Sequence, residues 1–202
     1  MFVQVIQGQV SDAGQVRSAF ERWVQELSPG ASGWLGSTAG VTDDGRFIAL
    51  ARFDSEQDAR RNSERPEQGA WWSETAPLFT GEATFRDSVH VIVDMAGDPD
   101  SAGFVQIIQG RGSDPERARE LMSQDADKWA EFRPDILGST AVDHDGGEYT
   151  MALYFTSEDA ARDGEQKEPP PELKAQMEQM DKLTIGVPEF LDLKEPWLFS
   201  PR

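Results

Sequence analysis

Phe2-Val3-Gln4-Val5-Ile6-Gln7-Gly8 returns as Phe104-Val105-Gln106-Ile107-Ile108-Gln109-Gly110, 102 positions later. Leu35-Gly36-Ser37-Thr38 returns as Leu137-Gly138-Ser139-Thr140, and Phe53-Asp54-Ser55-Glu56 as Phe155-Thr156-Ser157-Glu158, at the same offset. Constant spacing across three separated segments means two tandem copies of one folding unit. Whatever that unit is, the chain must build it twice from different side chains. Each copy is therefore a control for the other. A residue kept in both points to architecture, and a residue found in one copy points to chemistry. The first copy spans 1–95, a linker rich in turn formers spans 96–102, and the second copy spans 103–202.

Each copy, at roughly 100 residues, is long enough for a core of its own. Six Trp and eleven Phe supply bulk for it. The formal net charge of −18 repels phosphate backbones and anionic membrane surfaces, so neither nucleic acid nor a membrane is an expected partner. With no cysteine in the chain, disulfides, thiolate nucleophiles and Cys-ligated metals are excluded. No secretory signal pattern precedes the first apolar segment and no apolar run approaches membrane-spanning length, which makes the cytoplasm the expected location.

Within a copy the periodicities change in a definite order. Phe2–Gln7 reads as a strand ending at Gly8. Ser11 and Asp12 offer N-cap oxygens, and Val16, Phe20, Trp23, Val24 and Leu27 follow at helical spacing until Pro29-Gly30. In the second copy Asp114 caps, Pro115 opens the helix, and Ala118, Met122, Ala126 and Trp129 continue the stripe. Asp125 falls where Trp23 stands. Segments 34–41 and 47–53 read as strands joined by the turn Asp43-Asp44-Gly45, matched by Asp143-His144-Asp145-Gly146-Gly147. A second helix begins at the capping box Ser55–Asp58. Pro66 and Gly69 should interrupt it in the first copy, and Pro169, Pro170 and Pro171 in the second. Final strands are expected over 83–93 and 185–193. The order strand, helix, strand, strand, helix, strand is the ferredoxin-like βαββαβ motif, an α+β unit with both helices on one face of an antiparallel sheet. The other sheet face is apolar as well, since Ile48 and Leu50 alternate with Phe47 and Ala49. Two units in one chain can cover each other there and leave a ligand cavity between the sheets.

Pro29-Gly30-Ala31-Ser32-Gly33-Trp34, then a turn, then Arg46-Phe47-Ile48-Ala49-Leu50-Ala51-Arg52-Phe53-Asp54-Ser55 and an acidic helix start, resemble the dimeric α/β-barrel superfamily and its antibiotic-biosynthesis-monooxygenase-like domains. The resemblance covers the whole chain, twice. It implies an intramolecular pseudo-dimeric α/β barrel, further association being left open. It also implies a small apolar or aromatic ligand, such as a polyketide-like molecule. Members include cofactor-independent monooxygenases, which need no bound metal, and haem-degrading enzymes, for which His90 would be the axial ligand. A non-catalytic ligand-binding or interaction protein of the same fold is the alternative, because a fold does not fix an activity. Monooxygenases of this kind use an Asn, a Trp and a His, and Asn62, Trp71 or Trp72, and His90 are the residues of those types in the first copy.

Several residues are candidates in their own right. In a strand, Val89, Val91 and Val93 point one way and His90 the other; if the valines meet the helices, His90 faces the cavity as a general base. A satisfied structural histidine is the other reading. Its partner by offset is Asp192. Arg52 shares the phase of Ile48 and Leu50, can hold an anionic or enolate oxygen, and has Tyr154 as its partner in the second copy. The competing role is a strand-end ion pair. Trp72 falls opposite Lys174 and is a lid or a wall of the site, while Trp71 falls opposite Leu173 in a core stripe. Trp34 lines the cavity or fills the core. Gln7 and Gln109 occur in both copies, which suggests strand-end hydrogen bonding first and substrate orientation second. His144 sits among acidic turn residues and reads as solvated. Two dissimilar histidines do not suggest a metal centre.

Overall fold

The computed structural model of the chain describes residues 1–95 and 97–201. Ala96, the first residue of the expected linker, and Arg202 lie outside the described residues. In chain order the elements are β1 (Phe2–Gln9), α1 (Ala13–Glu26), β2 (Trp34–Val41), β3 (Arg46–Phe53), α2 (Glu56–Ser63), α3 (Pro66–Thr75), β4 (Thr84–Ser88) and β5 (Val91–Asp94). The second copy gives β6 (Phe104–Gly112), α4 (Pro115–Met122), α5 (Ala126–Phe132), β7 (Ile136–Asp143), β8 (Glu148–Phe155), α6 (Glu158–Glu165), α7 (Pro171–Leu183), β9 (Thr184–Leu193) and β10 (Trp197–Phe199). They form two five-stranded antiparallel sheets, ordered β10-β2-β3-β1-β4 and β5-β7-β8-β6-β9. Each sheet holds the ferredoxin-like order of four strands plus a fifth beside β2 or β7.

The compact units are Met1–Val91 with the segment from Glu195 onward, and Ile92–Lys194. The expected linker separates the sequence copies, but the units divide the chain elsewhere. The segment after β4 supplies β5 to the second sheet, and the segment after β9 returns β10 to the first. The continuous strand expected over 83–93 is thereby corrected to two strands in two different sheets.

In the first unit the sheet face toward the helices carries Phe2, Ile6, Trp34, Phe47, Phe53 and Trp197 against Phe20, Trp23 and Trp71. Phe20 packs edge-on to Trp71 with ring centroids 5.4 Å apart, and Trp23 packs edge-on to Trp34 at 5.2 Å. Such pairs add to the area they bury. The expected caps form. The Asp12 carboxylate accepts from the Gln15 amide at 3.0 Å, Ser55 Oγ from Asp58 at 3.1 Å, and Asp114 from Arg117 at 3.0 Å. Pro66 opens α3, whereas Gly69 lies inside α3 and breaks nothing. In the second unit Asp125 takes a left-handed conformation with φ 55° and splits the expected first helix into α4 and α5.

The repeated Leu-Gly-Ser-Thr segment has a specific cause. Both β2 and β7 change register there, between Trp34 and Gly36 and between Ile136 and Gly138. A Cβ on Gly36 would stand 2.6 Å from the Phe199 carbonyl oxygen, and one on Gly138 would stand 2.6 Å from that of Asp94. Each glycine therefore leaves room for the fifth strand of its sheet.

The copies fall out of step late in the unit. Gln4 faces Asp87 across β1 and β4, and Gln106 faces Asp192 across β6 and β9. Asp192 therefore matches Asp87, not His90 as the fixed offset implied. Three extra residues enter before Pro171, which opens α7 as Pro66 opens α3. Trp71 then corresponds to Gln176, and both make one bond: Trp71 Nε1 donates to the Ala19 carbonyl at 2.9 Å, and Gln176 Nε2 donates to that of Leu121. A larger residue at 121 restores volume where the indole is missing.

Candidate functional site

Alternation fixes what each sheet shows on the face away from its helices. In the first unit, Val3 pairs with Arg52 and Val5 with Leu50, while Thr38 pairs with Leu50 and Gly36 with Arg52. This helix-free face thus carries Val3, Val5, Ile48 and Leu50, each at most 1 % exposed, with Arg52 at its end and Gln7 beside Ile48. In the second unit Val105 pairs with Tyr154, Ile107 with Ala152 and Gln109 with Thr150. Tyr154, Thr140 and Thr150 are buried there among Val105, Ile107 and Leu193.

The second unit assembles a connected polar group on this face. Gln109 Nε2 donates to Thr150 Oγ1 at 2.9 Å, and Thr150 Oγ1 lies 3.0 Å from His144 Nε2. Thr150 is fully buried; Gln109 and His144 are half-buried. The hairpin holds the imidazole in place, since the His144 amide donates to the Glu148 carbonyl at 2.7 Å. While Thr150 Oγ1 accepts from the Gln109 amide, its own proton can go to Nε2 of a neutral imidazole. After protonation the bond reverses, with Nε2 donating to the same oxygen. At Nε2 the ring can thus accept from Thr150 or donate to it.

Among the described residues, the first unit has no such group. Thr42 stands at the position of His144, and Ile48 at that of Thr150. Thr42 Oγ1 instead binds within its own turn, to the Asp44 carboxylate. The solvated role expected for His144 is thus corrected. Its cross-strand partner Thr150 was hidden in the sequence because turn residues and strand residues meet only through register.

The remaining expected site residues separate by face. Arg52, Gln7 and Tyr154 lie on helix-free faces. Arg52 has a buried Nε with no hydrogen-bond partner. Trp34 is a core residue on the helix side, 6 % exposed, with Nε1 donating to Ser37 Oγ at 3.0 Å. Trp72 also packs on the helix side, against Trp71, Phe79 and Phe85, and so does not wall the opposite face. Asn62 lies buried on α2, where its Oδ1 accepts from Arg65 Nη1 at 3.0 Å, and Arg65 also donates to the Leu27 carbonyl at the end of α1. Its role is to seat a cation at a helix C-terminus. His90 is exposed between β4 and β5, its amide bonded to Ser88 Oγ at 3.0 Å. The placement on a strand is corrected because the strand ends where the chain leaves the first sheet. Haem ligation needs an imidazole in an enclosed apolar wall. His90 beside Val89, which is 55 % exposed, does not fit that group.

On the helix side of the second unit, a buried ion pair replaces aromatic packing. Arg133 and Asp135 are each 9 % exposed, and Arg133 Nη2 meets Asp135 Oδ2 at 2.7 Å. The guanidinium lies 5.7 Å over the Phe155 ring and fills the space a Cβ on Gly164 would need. Burial pushes the Asp135 carboxyl up, but the hydrogen bonds and charge of Arg133 outweigh it and hold Asp135 below the usual carboxylate range. Among the described residues, no group of three or more His, Asp or Glu side chains is placed to hold a metal ion.

Two ferredoxin-like units in one chain define the class: a ferredoxin-like pseudo-dimer, a fold shared with proteins described as putative monooxygenases. No family model and no curated protein matches the sequence. Among solved structures, a "putative monooxygenase" from Lactobacillus acidophilus is similar with TM-score 0.74 and 13 % identity, 98 % of each chain being covered. A second protein of that name, from Fusobacterium nucleatum, is similar with TM-score 0.72 and 10 % identity over 98 % of this chain and 94 % of its own. An anthrone oxidase-like protein matches with TM-score 0.62 and 14 % identity over 98 % of this chain and 93 % of its own. At such identities the likeness establishes the fold alone. No helix among the described residues is long and apolar enough to cross a membrane.

Proposed function

We propose that this chain is a small-molecule enzyme that oxidises an aromatic or polyketide-like substrate with dioxygen, with His144 as the proton acceptor. One observation carries the reading: His144, Gln109 and the buried Thr150 form a hydrogen-bonded row, and the other copy has nothing equivalent among the described residues. The similarity of the fold to an anthrone oxidase-like protein supports this choice of chemistry. In such a reaction an anthrone gives a proton from its methylene carbon to the imidazole. The resulting carbanion passes electrons to dioxygen, and loss of water leaves a quinone carbonyl. Substrate and oxygen together balance product and water, so the electrons come from the substrate itself. The reading includes a cytoplasmic protein that works with both copies in one chain.

The test is oxygen uptake and quinone absorbance with anthrone as the probe. The expected result is turnover above the buffer rate, reduced about 10²–10⁴-fold in His144→Ala, the range of general-base contributions. Oxidation no faster than in buffer, with anthrone still bound, would favour a non-catalytic binding protein instead.

A further inference from the structure

We infer that Arg52 is the binding site for an anionic oxygen, and that the ligand of this protein is an aromatic acid presenting a carboxylate or an ionised phenol to the first unit. This deepens the proposal of a small-molecule protein and rests on it, but not on turnover. Arg52 ends a row of buried apolar residues, Val3, Val5, Ile48 and Leu50, on the helix-free face. Its Nε is buried and has no hydrogen-bond partner, and no ion pair engages its guanidinium among the described residues. The chain is not short of acids, since it carries 37 of them. Arg52 is half-buried as a residue, but a buried N–H left without an acceptor is costly, so a native chain keeps one where something else supplies the acceptor.

The backbone makes space for this arrangement. Gly36 has φ 128°, and a Cβ on it would stand 2.7 Å from Arg52 Nη2. The Leu-Gly-Ser-Thr bulge thus admits both β10 and the guanidinium. The matching residue in the second unit is Tyr154, an aromatic ring and not a cation, so the anion site belongs to one unit only. A planar guanidinium offers Nε and Nη in a fork that fits two oxygens of a carboxylate or one phenolate with its neighbour. The apolar row next to it suits the ring that carries the oxygen.

The probes are 2-naphthoate for a carboxylate, 2,4-dinitro-1-naphtholate for a phenolate, and neutral naphthalene-2-carboxamide, measured by calorimetry on the full chain. At least one anion should bind ten times or more tighter than the amide, and Arg52→Gln should abolish that preference while leaving amide binding unchanged. The Nε–H cross-peak of Arg52 should move when the preferred anion is added to the unmodified chain, a readout that holds even if the variant folds poorly. Which anion wins distinguishes the two ligand sources. Binding of neither anion, an equal preference in Arg52→Gln, or an unmoved Nε–H peak would overturn the inference. Anion binding without anthrone oxidation would sink the oxidase reading and leave this one standing.

Discussion

The two copies share a backbone plan and hold it together differently. Where the first unit buries Trp71, Trp34 and Phe79, the second has Gln176, Ile136 and Thr184. In place of Ala31 and Gly33 it has the buried pair Arg133 and Asp135. Gln176 accepts from Trp129 Nε1 at 2.7 Å and also donates to the Leu121 carbonyl, so one amide joins three helices. The first unit does similar work with an indole that donates to Ala19 and packs edge-on to Phe20. Aromatic burial and a satisfied polar network are thus interchangeable supports for one fold, provided every buried polar group finds a partner. The helix-free faces differ in the same sense. One carries Arg52, whose buried Nε has no hydrogen-bond partner, and the other a hydrogen-bonded histidine.

That comparison can be broken at specific residues. Trp71→Ala should cost the most, about 3–5 kcal/mol by urea unfolding, since it empties an aromatic cluster. A loss below about 1 kcal/mol would mean that the aromatic cluster does not hold the first unit. Asp135→Asn should cost about 3 kcal/mol, because it leaves Arg133 buried without a counter-charge. Its sign with pH follows from the depressed carboxyl. Asp135 is ionised above its unfolded value, so its contribution is present at neutral pH and is lost as pH falls through the lower folded value. The gap between native chain and variant should therefore close in acid. A gap that does not narrow at all on acidification would contradict the ion-pair account.

Gly36→Ala should cost about 1–2 kcal/mol from its positive φ alone, plus the collision with Phe199 and Arg52. Gly138→Ala keeps only the collision, with Asp94, so the smaller loss should fall in the second unit. Gln176→Ala should cost about 1–2 kcal/mol through its unpaired partners, less than Trp71→Ala. Equal losses at 71 and 176 would remove the contrast between the two supports.

Much of the fold was legible because it rests on local rules. The periods of 2 and 3.6 residues marked strands and helices, and Asp12, Ser55 and Asp114 marked helix starts. The phase of Arg52 followed from alternation with Ile48 and Leu50, and strand pairing agrees with it. What escaped depended on register. Three residues inserted before Pro171 shifted the matching of Trp71, Trp72 and His90, and the triple proline was the available sign of a longer loop. The exchange of β5 and β10 between sheets ended the strand before His90, and nothing in Val89-His90-Val91 announces that. The left-handed Asp125 broke a helix whose apolar stripe continued past it. His144 looked solvated because its hairpin is acidic, while the group that binds it, Thr150, lies on the next strand.

The most direct test of a single reactive copy compares two mirror variants in the same assay. His144→Ala and Thr42→Ala remove equivalent hairpin side chains from the two units. With anthrone and dioxygen, the account predicts a fall in kcat of about 10²-fold or more for His144→Ala and less than about twofold for Thr42→Ala. Equal effects, or a larger loss at Thr42, would contradict the assignment of the chemistry to the second unit.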